Sequence, residues 1–453
     1  MSNEKRVELG VGEGAWRTGR RGAALSVTAL ALGVLGCSSN SPSTSADGGP
    51  GGDGATCTPP TGYEQVAAPD ADVTQEDAHL AMVLDGAGNP MIAWVAYDQS
   101  GTKLYFVAYD GATCTWRPRV QIDVVGDVDY TRDREVTMAR DPSNGHLGIG
   151  YQIVDTSGGT KVMLAQSDDG TTWTSEMVAQ RLASEPGSVL RPTVAMKNGK
   201  TYYVYYQDYL WAAGGSNSSD SSGFIFGVRS GTSGSFTTTN VPAVAGATLP
   251  GCETLPPSIA IDDAGAAGLA FFARTDDATP NLRVVYYSSA SGLSVSVFDS
   301  QGTQHDGGDV SLVFEGTKPR LAATLERGTN DSNNSRVWFS ASNDGSTWSA
   351  PVEMPMDGGD AMGPDVSMAA GGNGALTIAT NYGGGNGVHT CGAPKLSTSS
   401  DDGSGWATCG PVPDPAGQVG YAGGFVQLAY APSGKRIAGF VATGLGVYVW
   451  REP

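Results

Sequence analysis

The chain has 453 residues, of which 65 are glycine and 16% are charged, and its formal net charge is −19. So acidic a surface repels nucleic acid and anionic lipid headgroups, which excludes both as expected partners. Apolar and aromatic residues recur along the chain, so the composition indicates a folded protein rich in tight turns rather than a disordered one.

The first 36 residues have the composition of an export signal. Basic residues precede an apolar run over residues 23–35, and the small residue Gly36 stands directly before Cys37. The run is too short to remain as a membrane-spanning helix. The sequence VLGC resembles the lipobox of bacterial lipoproteins, in which the cysteine is acylated and becomes the mature N-terminus. The resemblance implies a signal peptide over 1–36, lipidation of Cys37 and an outer-membrane lipoprotein, periplasmic or surface-exposed.

Residues 37–60 follow as a segment rich in Ser, Gly, Pro and Thr with almost no apolar side chain. This composition is typical of a flexible tether. No other segment is long and apolar enough to cross a membrane, so we expect membrane contact through the lipid alone. The folded domain is then predicted to span residues 61–453.

Seven segments of the remaining chain share one pattern: an apolar strand, a turn with Gly or Asp, and a second apolar strand. They begin at residues 80, 136, 192, 257, 310, 366 and 426. A third strand follows each pair, and in three units a polar turn leads into a fourth strand. Four short strands per unit at this period predict an all-β fold, a β-propeller of four-stranded blades. We expect seven blades, with six as the alternative.

The polar turn between the third and fourth strands has the pattern Ser-x-Asp-Gly-x-x-Trp. Its glycine permits a positive φ, its Ser and Asp oxygens can bond backbone amides within the turn, and its Trp can pack against the neighbouring sheet. The turn resembles the Asp-box, or BNR, repeat of the sialidase-like propellers, in which the box is structural and lies away from the active face. The three copies are Ser167, Asp169, Gly170 and Trp173; Ser342, Asp344, Gly345 and Trp348; and Ser400, Asp402, Gly403 and Trp406.

The last repeat unit supplies three strands, so we expect the segment 63–69 to complete it as the outer strand. This N-terminal strand closes the ring and covers an edge that is otherwise exposed. An exported protein meets oxidising conditions, so its cysteines are expected to pair. The blade topology leaves Cys252 free and predicts two disulfides, Cys57–Cys114 and Cys391–Cys409.

The loops between blades and between second and third strands share one face around the central channel. Binding residues concentrate on loops held by a rigid scaffold, so this face is the predicted binding site. Aromatic rings beside polar groups suit the stacking and hydrogen bonding of sugars. The candidate ligand-binding residues are Tyr97, Tyr130, Arg134, Arg191, Tyr209, Trp211, Arg274 and Tyr382.

Two functions remain open for this face. The first is a binding module, expected to be monomeric, for a glycan or for an envelope or extracellular protein. The alternative is a sialidase-like glycoside hydrolase in which Arg134, Arg191 and Arg274 hold an anionic sugar. That chemistry needs a Tyr nucleophile with a supporting Glu and an Asp acid. No Tyr–Glu pairing can be picked out of the sequence, so we favour binding without catalytic residues.

The acidic loops raise the question of a bound cation. Paired aspartates in DGGD (306–309) and DVD (127–129) offer the hard oxygen ligands that calcium prefers, but no EF-hand-like spacing is present. We therefore predict that the protein has no cofactor. Calcium is the ion for which the acidic loops offer ligands.

Overall fold

The computed structural model describes the chain in seventeen segments. The structure describes residues 57–67, 80–98, 101–122, 127–128, 136–155, 157–185, 188–208, 223–244, 247–249, 256–275, 282–299, 307–326, 335–354, 362–382, 395–410, 426–442 and 446–453. At some strand ends, Cys409 among them, the backbone alone is described. The predicted signal peptide, Cys37, Cys252 and Cys391 lie outside these residues, so the 391–409 disulfide stays a prediction.

The described residues form strands, and none of them belongs to a helix long and apolar enough to span a membrane. In chain order the strands are β1 (Gly62–Ala67), β2 (Leu80–Leu84), β3 (Pro90–Asp98), β4 (Gly101–Asp110), β5 (Thr115–Trp116), β6 (Val120–Ile122), β7 (Asp127–Val128), β8 (Val136–Arg140), β9 (Leu147–Val154), β10 (Thr160–Ser167), β11 (Thr174–Arg181), β12 (Ser188–Lys197), β13 (Lys200–Asp208), β14 (Gly223–Ser230), β15 (Thr237–Asn240), β16 (Ala247–Leu249), β17 (Ser258–Ile261), β18 (Ala267–Thr275), β19 (Leu282–Ser288), β20 (Leu293–Asp299), β21 (Gly307–Glu315), β22 (Lys318–Glu326), β23 (Ser335–Ala341), β24 (Val352–Glu353), β25 (Met362–Gly372), β26 (Ala375–Tyr382), β27 (Lys395–Ser399), β28 (Ala407–Gly410), β29 (Gln427–Tyr430), β30 (Arg436–Ala442) and β31 (Gly446–Arg451).

These strands form seven antiparallel sheets, which are the blades. Blades 1 to 6 are β2–β6, β7–β11, β12–β15, β16–β20, β21–β24 and β25–β28, and blade 7 is β29–β31 with β1. The innermost strands β2, β8, β12, β17, β21, β25 and β29 contact one another in that order, and β29 contacts β2. The fold is therefore a closed seven-bladed β-propeller. The predicted fold and blade number are confirmed.

The hydrophobic core consists of seven layers, one between each pair of adjacent blades. The layer between blades 7 and 1, for example, joins Leu80 and Ile92 to Val441 and Val449. Successive side chains of a strand point to opposite faces, and here both faces of a blade meet a neighbour. Central strands such as β9 are therefore buried along nearly their whole length, whereas the outer strand β15 is exposed throughout.

The innermost strands are sheet edges, and several of their amides are satisfied by a hydroxyl of the preceding blade. Three bonds of 2.9–3.0 Å run from Leu312 N to Ser258 Oγ, from Met368 N to Ser311 Oγ, and from Leu428 N to Ser367 Oγ. Each serine is the second residue of its aligned repeat, so the same position links successive blades. These contacts meet the requirement that buried backbone amides be hydrogen-bonded.

The ring closes through the N-terminal strand. β1 pairs antiparallel with β31, with Tyr63 opposite Trp450, so an early segment of the chain completes the last blade. The disulfide Cys57–Cys114 joins the residues before β1 to the turn between β4 and β5 in blade 1. The predicted closure and the predicted 57–114 pairing are both confirmed.

Arg451 of β31 adds a polar contact across the same junction. Its guanidinium carbon lies 4.2 Å from the centre of the Tyr109 ring in blade 1, and its Nη1 pairs with Glu64 of β1. The Arg451 side chain is only 9% exposed. A cation held over an aromatic face in such a site is favourable, so Arg451 links β1, β31 and blade 1.

We expect the double variant C57S/C114S to lose about 2–4 kcal/mol of unfolding free energy, because it loses the cross-link that restricts the unfolded chain. Deleting residues 57–67 is expected to cost more, since β31 then also loses its partner strand. Guanidinium unfolding followed by circular dichroism compares the three proteins. Equal midpoints for wild type and both variants would show that the ring does not depend on this closure.

Candidate functional site

The two faces of the ring carry different connections. Each innermost strand begins on one face, which we call the loop face, and each second strand ends there. β12, for example, begins at Ser188 opposite Asp208, the last residue of β13. The turns between first and second strands, and between third and fourth, lie on the opposite face, which we call the hairpin face. Antiparallel pairing alone produces this division.

Four candidate ligand-binding residues have a backbone position on the loop face. Tyr97, Arg274 and Tyr382 stand at the last or next-to-last position of β3, β18 and β26, the second strands of blades 1, 4 and 6. Arg191 is the fourth residue of β12 in blade 3. The fold therefore brings these positions to one face, but in four different blades.

The other four candidates, Tyr130, Arg134, Tyr209 and Trp211, lie outside the described residues. The described strands before or after these residues nevertheless show from which face of the ring each loop leaves or to which it returns. Tyr209 and Trp211 follow Asp208, the loop-face end of β13, and the chain re-enters the blade at Gly223. Tyr130 and Arg134 precede β8, which begins on the loop face at Val136. Their role in binding stays a prediction.

A ligand-binding residue must be exposed at the surface, whereas Arg191 is buried. It is 3% exposed, its φ is 58°, and it lies where the pairing of β12 with β13 is irregular. Its amide donates a 3.1 Å hydrogen bond to the Oε1 of Gln152, which is fully buried in blade 2. A left-handed arginine is uncommon and persists only where its surroundings fix it. Arg191 is thus built into the junction of blades 2 and 3.

The aspartates considered for calcium are engaged in the framework where their side chains are described. Asp309 is 2% exposed, and its two carboxylate oxygens accept the amides of Val310 at 2.7 Å and Val366 at 3.1 Å. It therefore joins blades 5 and 6 at the loop-face end of their innermost strands. Among the described residues, no group of three His, Cys, Asp or Glu side chains could hold a metal ion.

The hairpin face is built from turns whose polar side chains bond their own backbone. In blade 2, Ser167 Oγ accepts the Gly170 amide at 2.9 Å, and Asp169 Oδ1 accepts the amides of Thr171 and Thr172 at 2.7 Å. Blade 5 repeats the arrangement: Ser342 Oγ accepts from Gly345, and Asp344 Oδ1 accepts from the two following amides. These bonds lower the pKa of Asp344 to about 2.

The tryptophan of each turn joins its blade to the one before. Trp173 packs on Phe106 of blade 1, Trp348 on Tyr286 of blade 4 and Trp406 on Phe339 of blade 5, with ring centres 4.9–5.2 Å apart. Each Trp also donates its indole N–H to the carbonyl of the glycine in its own turn. The turn is therefore a contact between blades as well as a local hairpin.

The third copy of the turn corrects the sequence assignment by one residue. In blade 6, Ser399 Oγ accepts the Gly403 amide at 3.0 Å, and Asp401 Oδ1 accepts the Gly405 amide at 2.8 Å. Ser400 and Asp402, which the pattern selects, do not have these roles. The stretch SSDDG contains two serines and two aspartates, and pairing with β26 places Ser399 at the end of β27. Gly403 and Trp406 keep their predicted positions.

Asp402 is consequently an extra residue in the turn, and it makes a different contact. Its φ is 61°, and its carboxylate accepts Nε and Nη2 of Arg320, both at 2.5 Å. Arg320 is almost completely buried in blade 5, and its Nη1 donates to the carbonyl oxygens of Pro319 and Ser342. Sequence reasoning missed this cluster; a lone arginine within the apolar strand PRLAAT was its signal.

Glu315, at the end of β21, completes the cluster. Its Oε2 lies 3.5 Å from Arg320 Nη2, and its Oε1 accepts the Gly374 amide of blade 6 at 2.8 Å. Two clefts of 440 and 580 Å³ open beside Asp402 on the hairpin face; Glu315 and Lys318 line one, and Asp344 and Trp348 line the other. The cluster can exchange protons with solvent through these openings.

Blades 2 and 3 have a related contact, in which no second carboxyl among the described residues takes part. Asp141, after β8, accepts the amides of Asn198 and Gly199 from the corresponding turn of blade 3. Burial opposes ionisation of Asp141, but hydrogen bonds from Ser143, Gly199 and Asn198 hold its pKa below the ordinary value. Acidic side chains thus cap the neighbouring blade's turn at two junctions of the ring.

Comparisons with known proteins give a likeness of shape. No family model matches the sequence, and no curated protein matches it. An ulvan lyase, which is a polysaccharide lyase, superposes with a TM-score of 0.52 at 10% identity, covering 86% of this chain and 94% of that one. The likeness is one of fold.

Two further solved structures have lower scores. An α-L-arabinanase of Penicillium chrysogenum has a TM-score of 0.48 at 15% identity and covers 72% of this chain and 94% of its own. A sialidase variant from Streptococcus pneumoniae has a TM-score of 0.44 at 10% identity, with 86% of this chain and 70% of that chain covered.

The register of the blade 6 turn predicts that substitutions of the adjacent residues Ser399 and Ser400 have different effects on the unfolding free energy. S399A removes the buried hydroxyl that accepts the Gly403 amide, so we expect a loss of about 1 kcal/mol of unfolding free energy. S400A changes an exposed residue and is expected to stay within about 0.5 kcal/mol of wild type. Thermal and guanidinium unfolding of the pair decide between the two registers. The opposite ranking would restore the Ser400 assignment.

Proposed function

We propose that the protein is a lipid-anchored propeller that binds a glycan or a protein through its loop face. The proposal rests on a difference between the two faces: one carries structured turns and the other carries long connections. On the hairpin face, the serine of each of the three described turns bonds backbone within its turn, and Asp141 and Glu315 bond backbone of the next blade. Ligand recognition then belongs to the loop face, where long connections are held by rigid strand ends.

The sequence of those connections suits sugars. Tyr209 and Trp211 follow the end of β13, and Tyr97 and Tyr382 occupy strand ends on the same face in blades 1 and 6. Aromatic rings combined with carboxylates and amides provide both stacking and hydrogen bonding for a carbohydrate. The propeller fold shared with the ulvan lyase is compatible with a polysaccharide ligand.

Charge and burial argue against the hydrolase alternative. A net charge of −19 disfavours long-range attraction of an anionic sugar. Arg191, one of the three arginines required to hold such a sugar, is 3% exposed and its amide is bonded to Gln152. The binding module therefore remains the better supported function.

The decisive experiment applies the purified domain, residues 57–453, to a glycan array and to a panel of fluorogenic sialosides and other glycosides. We expect array binding without turnover, and we expect W211A to reduce that binding because it removes a stacking surface. The matched control is N343A, an exposed residue of the hairpin face, which should bind as wild type does.

Three outcomes separate the hypotheses. Turnover that R134A or R274A abolishes in a correctly folded variant would replace the binding module by the hydrolase. Equal loss of binding in W211A and N343A would contradict a site on the loop face. Silence on both the array and the glycoside panel would favour a protein ligand, which pull-down from envelope extracts then identifies.

The lipid anchor has its own test. Metabolic labelling with a palmitate analogue should mark the full-length protein and should be absent from C37S, because Cys37 is the proposed acylation site. C252S, which leaves the lipobox-like sequence intact, serves as the control and should be labelled as wild type is. Label that persists in C37S would contradict the anchor without affecting the binding proposal.

A further inference from the structure

At the contact between blades 5 and 6, two carboxyls share one buried cation. The guanidinium of Arg320 is the buried cation of the cluster, with a side chain 1% exposed, and it faces the carboxyls of both Asp402 and Glu315. Asp402 takes the bidentate contact, with both distances 2.5 Å, whereas Glu315 is 3.5 Å from the shared Nη2. Two carboxylates beside one cation are costly to ionise together, so binding of a proton relieves the excess charge.

The other charged groups described near the cluster are not direct partners of Glu315. Lys318 and Asp344 line the two clefts beside Asp402, and Asp263 of blade 4 approaches the turn at Gly316. Asp263 is itself paired with Lys197. Lys318 is exposed, so solvent screens its charge, and that charge acts on Asp402. Among the described residues, the Glu315 carboxyl has Asp402 and Arg320 as its charged partners.

We propose that Glu315 controls the contact between blades 5 and 6 through protonation: the neutral carboxyl stabilises the contact and the ionised carboxylate weakens it. In its neutral form it donates a hydrogen bond to Asp402 while its other oxygen still accepts the Gly374 amide of blade 6. In its ionised form it repels Asp402, and the contact between the two blades weakens. The device acts on the ring itself and does not depend on the ligand of the loop face.

The extra residue of the blade 6 turn is what creates this arrangement. In blades 2 and 5, the turn places its aspartate within the hairpin, where it bonds backbone amides. In blade 6, Asp401 has that role, and the inserted Asp402 points to Arg320 of the neighbouring blade. In the part of the chain that the structure describes, no second carboxyl acts on Asp141 in the corresponding contact between blades 2 and 3, so Asp141 is a natural comparison within the chain.

Protonation has opposite consequences at the two junctions. The hydrogen bond with Asp402 and burial raise the pKa of Glu315, whereas the pKa of Asp141 is lowered. The stabilisation contributed by Glu315 is therefore present in acid and is lost as pH rises through its raised pKa. The contribution of Asp141 is present at neutral pH and is lost as pH falls through its lowered pKa.

Hydrogen exchange of the Gly374 amide tests the proposal on the folded domain. E315Q can donate to Asp402 and accept from Gly374 at every pH, as the neutral carboxyl does. We expect equal Gly374 protection in wild type and E315Q at about pH 4, and a loss of protection in wild type alone at about pH 8. Comparing the proteins at one pH cancels the intrinsic pH dependence of exchange.

D141N, read at the Gly199 amide, is the matched control. The difference in Gly199 protection between D141N and wild type should be largest at about pH 8 and should become smaller in acid. The difference in Gly374 protection between E315Q and wild type also grows at about pH 8, but there the variant is the better protected protein, whereas D141N should be the less protected one. D402N provides a second variant: it keeps an oxygen for Arg320 but removes the competing charge, so the pH dependence at Gly374 should flatten. A wild-type to E315Q ratio that does not change with pH, or an undiminished pH dependence in D402N, would overturn the proposal.

Discussion

Each blade of this propeller has two apolar faces, and neither can be buried except against another blade. That constraint explains why the core is seven separate layers and why the ring must close. An open ring would expose the faces of the first and last blades and the free edge of β31. The chain meets the constraint by returning its N-terminal segment to blade 7 as β1 and by bonding Cys57 to Cys114 of blade 1. Arg451 adds a cation–aromatic contact across the junction.

Packing of apolar faces does not by itself fix how one blade slides along the next, and polar contacts supply that register. Serines 258, 311 and 367 each accept an amide from the next innermost strand. Asp309 accepts an amide of the next innermost strand at the loop-face end, and Asp141 and Glu315 accept amides from the next blade's turn at the hairpin face. Because a hydrogen bond is directional, a row of such contacts selects one alignment among many that bury similar apolar area. The side chains of Asp141 and Glu315 on the hairpin face thereby hold neighbouring blades in register.

The blade 6 turn shows how a one-residue change in a local motif reaches a neighbouring blade. An additional aspartate cannot be accommodated among the backbone amides of the hairpin, because Asp401 already occupies that place. Asp402 adopts a left-handed conformation and meets a buried arginine instead. In blades 2 and 5 the aspartate of the turn bonds the turn's own backbone. In blade 6 the turn also gains a charged contact with Arg320 of blade 5 and a partner carboxyl in Glu315.

The sequence alone determined the architecture, because the strand pattern, the repeat period and the turn glycines are local features that recur seven times. It also determined the closure and the 57–114 disulfide, since a unit with three strands demands a fourth and the blade topology then brings those cysteines together. Local pattern could not choose between Ser399 and Ser400, because doubled residues fit the motif in either register and only pairing with β26 separates them. Nor could it show that Arg320 and Arg191 are buried, or that Glu315 faces Asp402. Those facts depend on which blades become neighbours, and residues up to 87 positions apart along the chain meet only once the ring has formed.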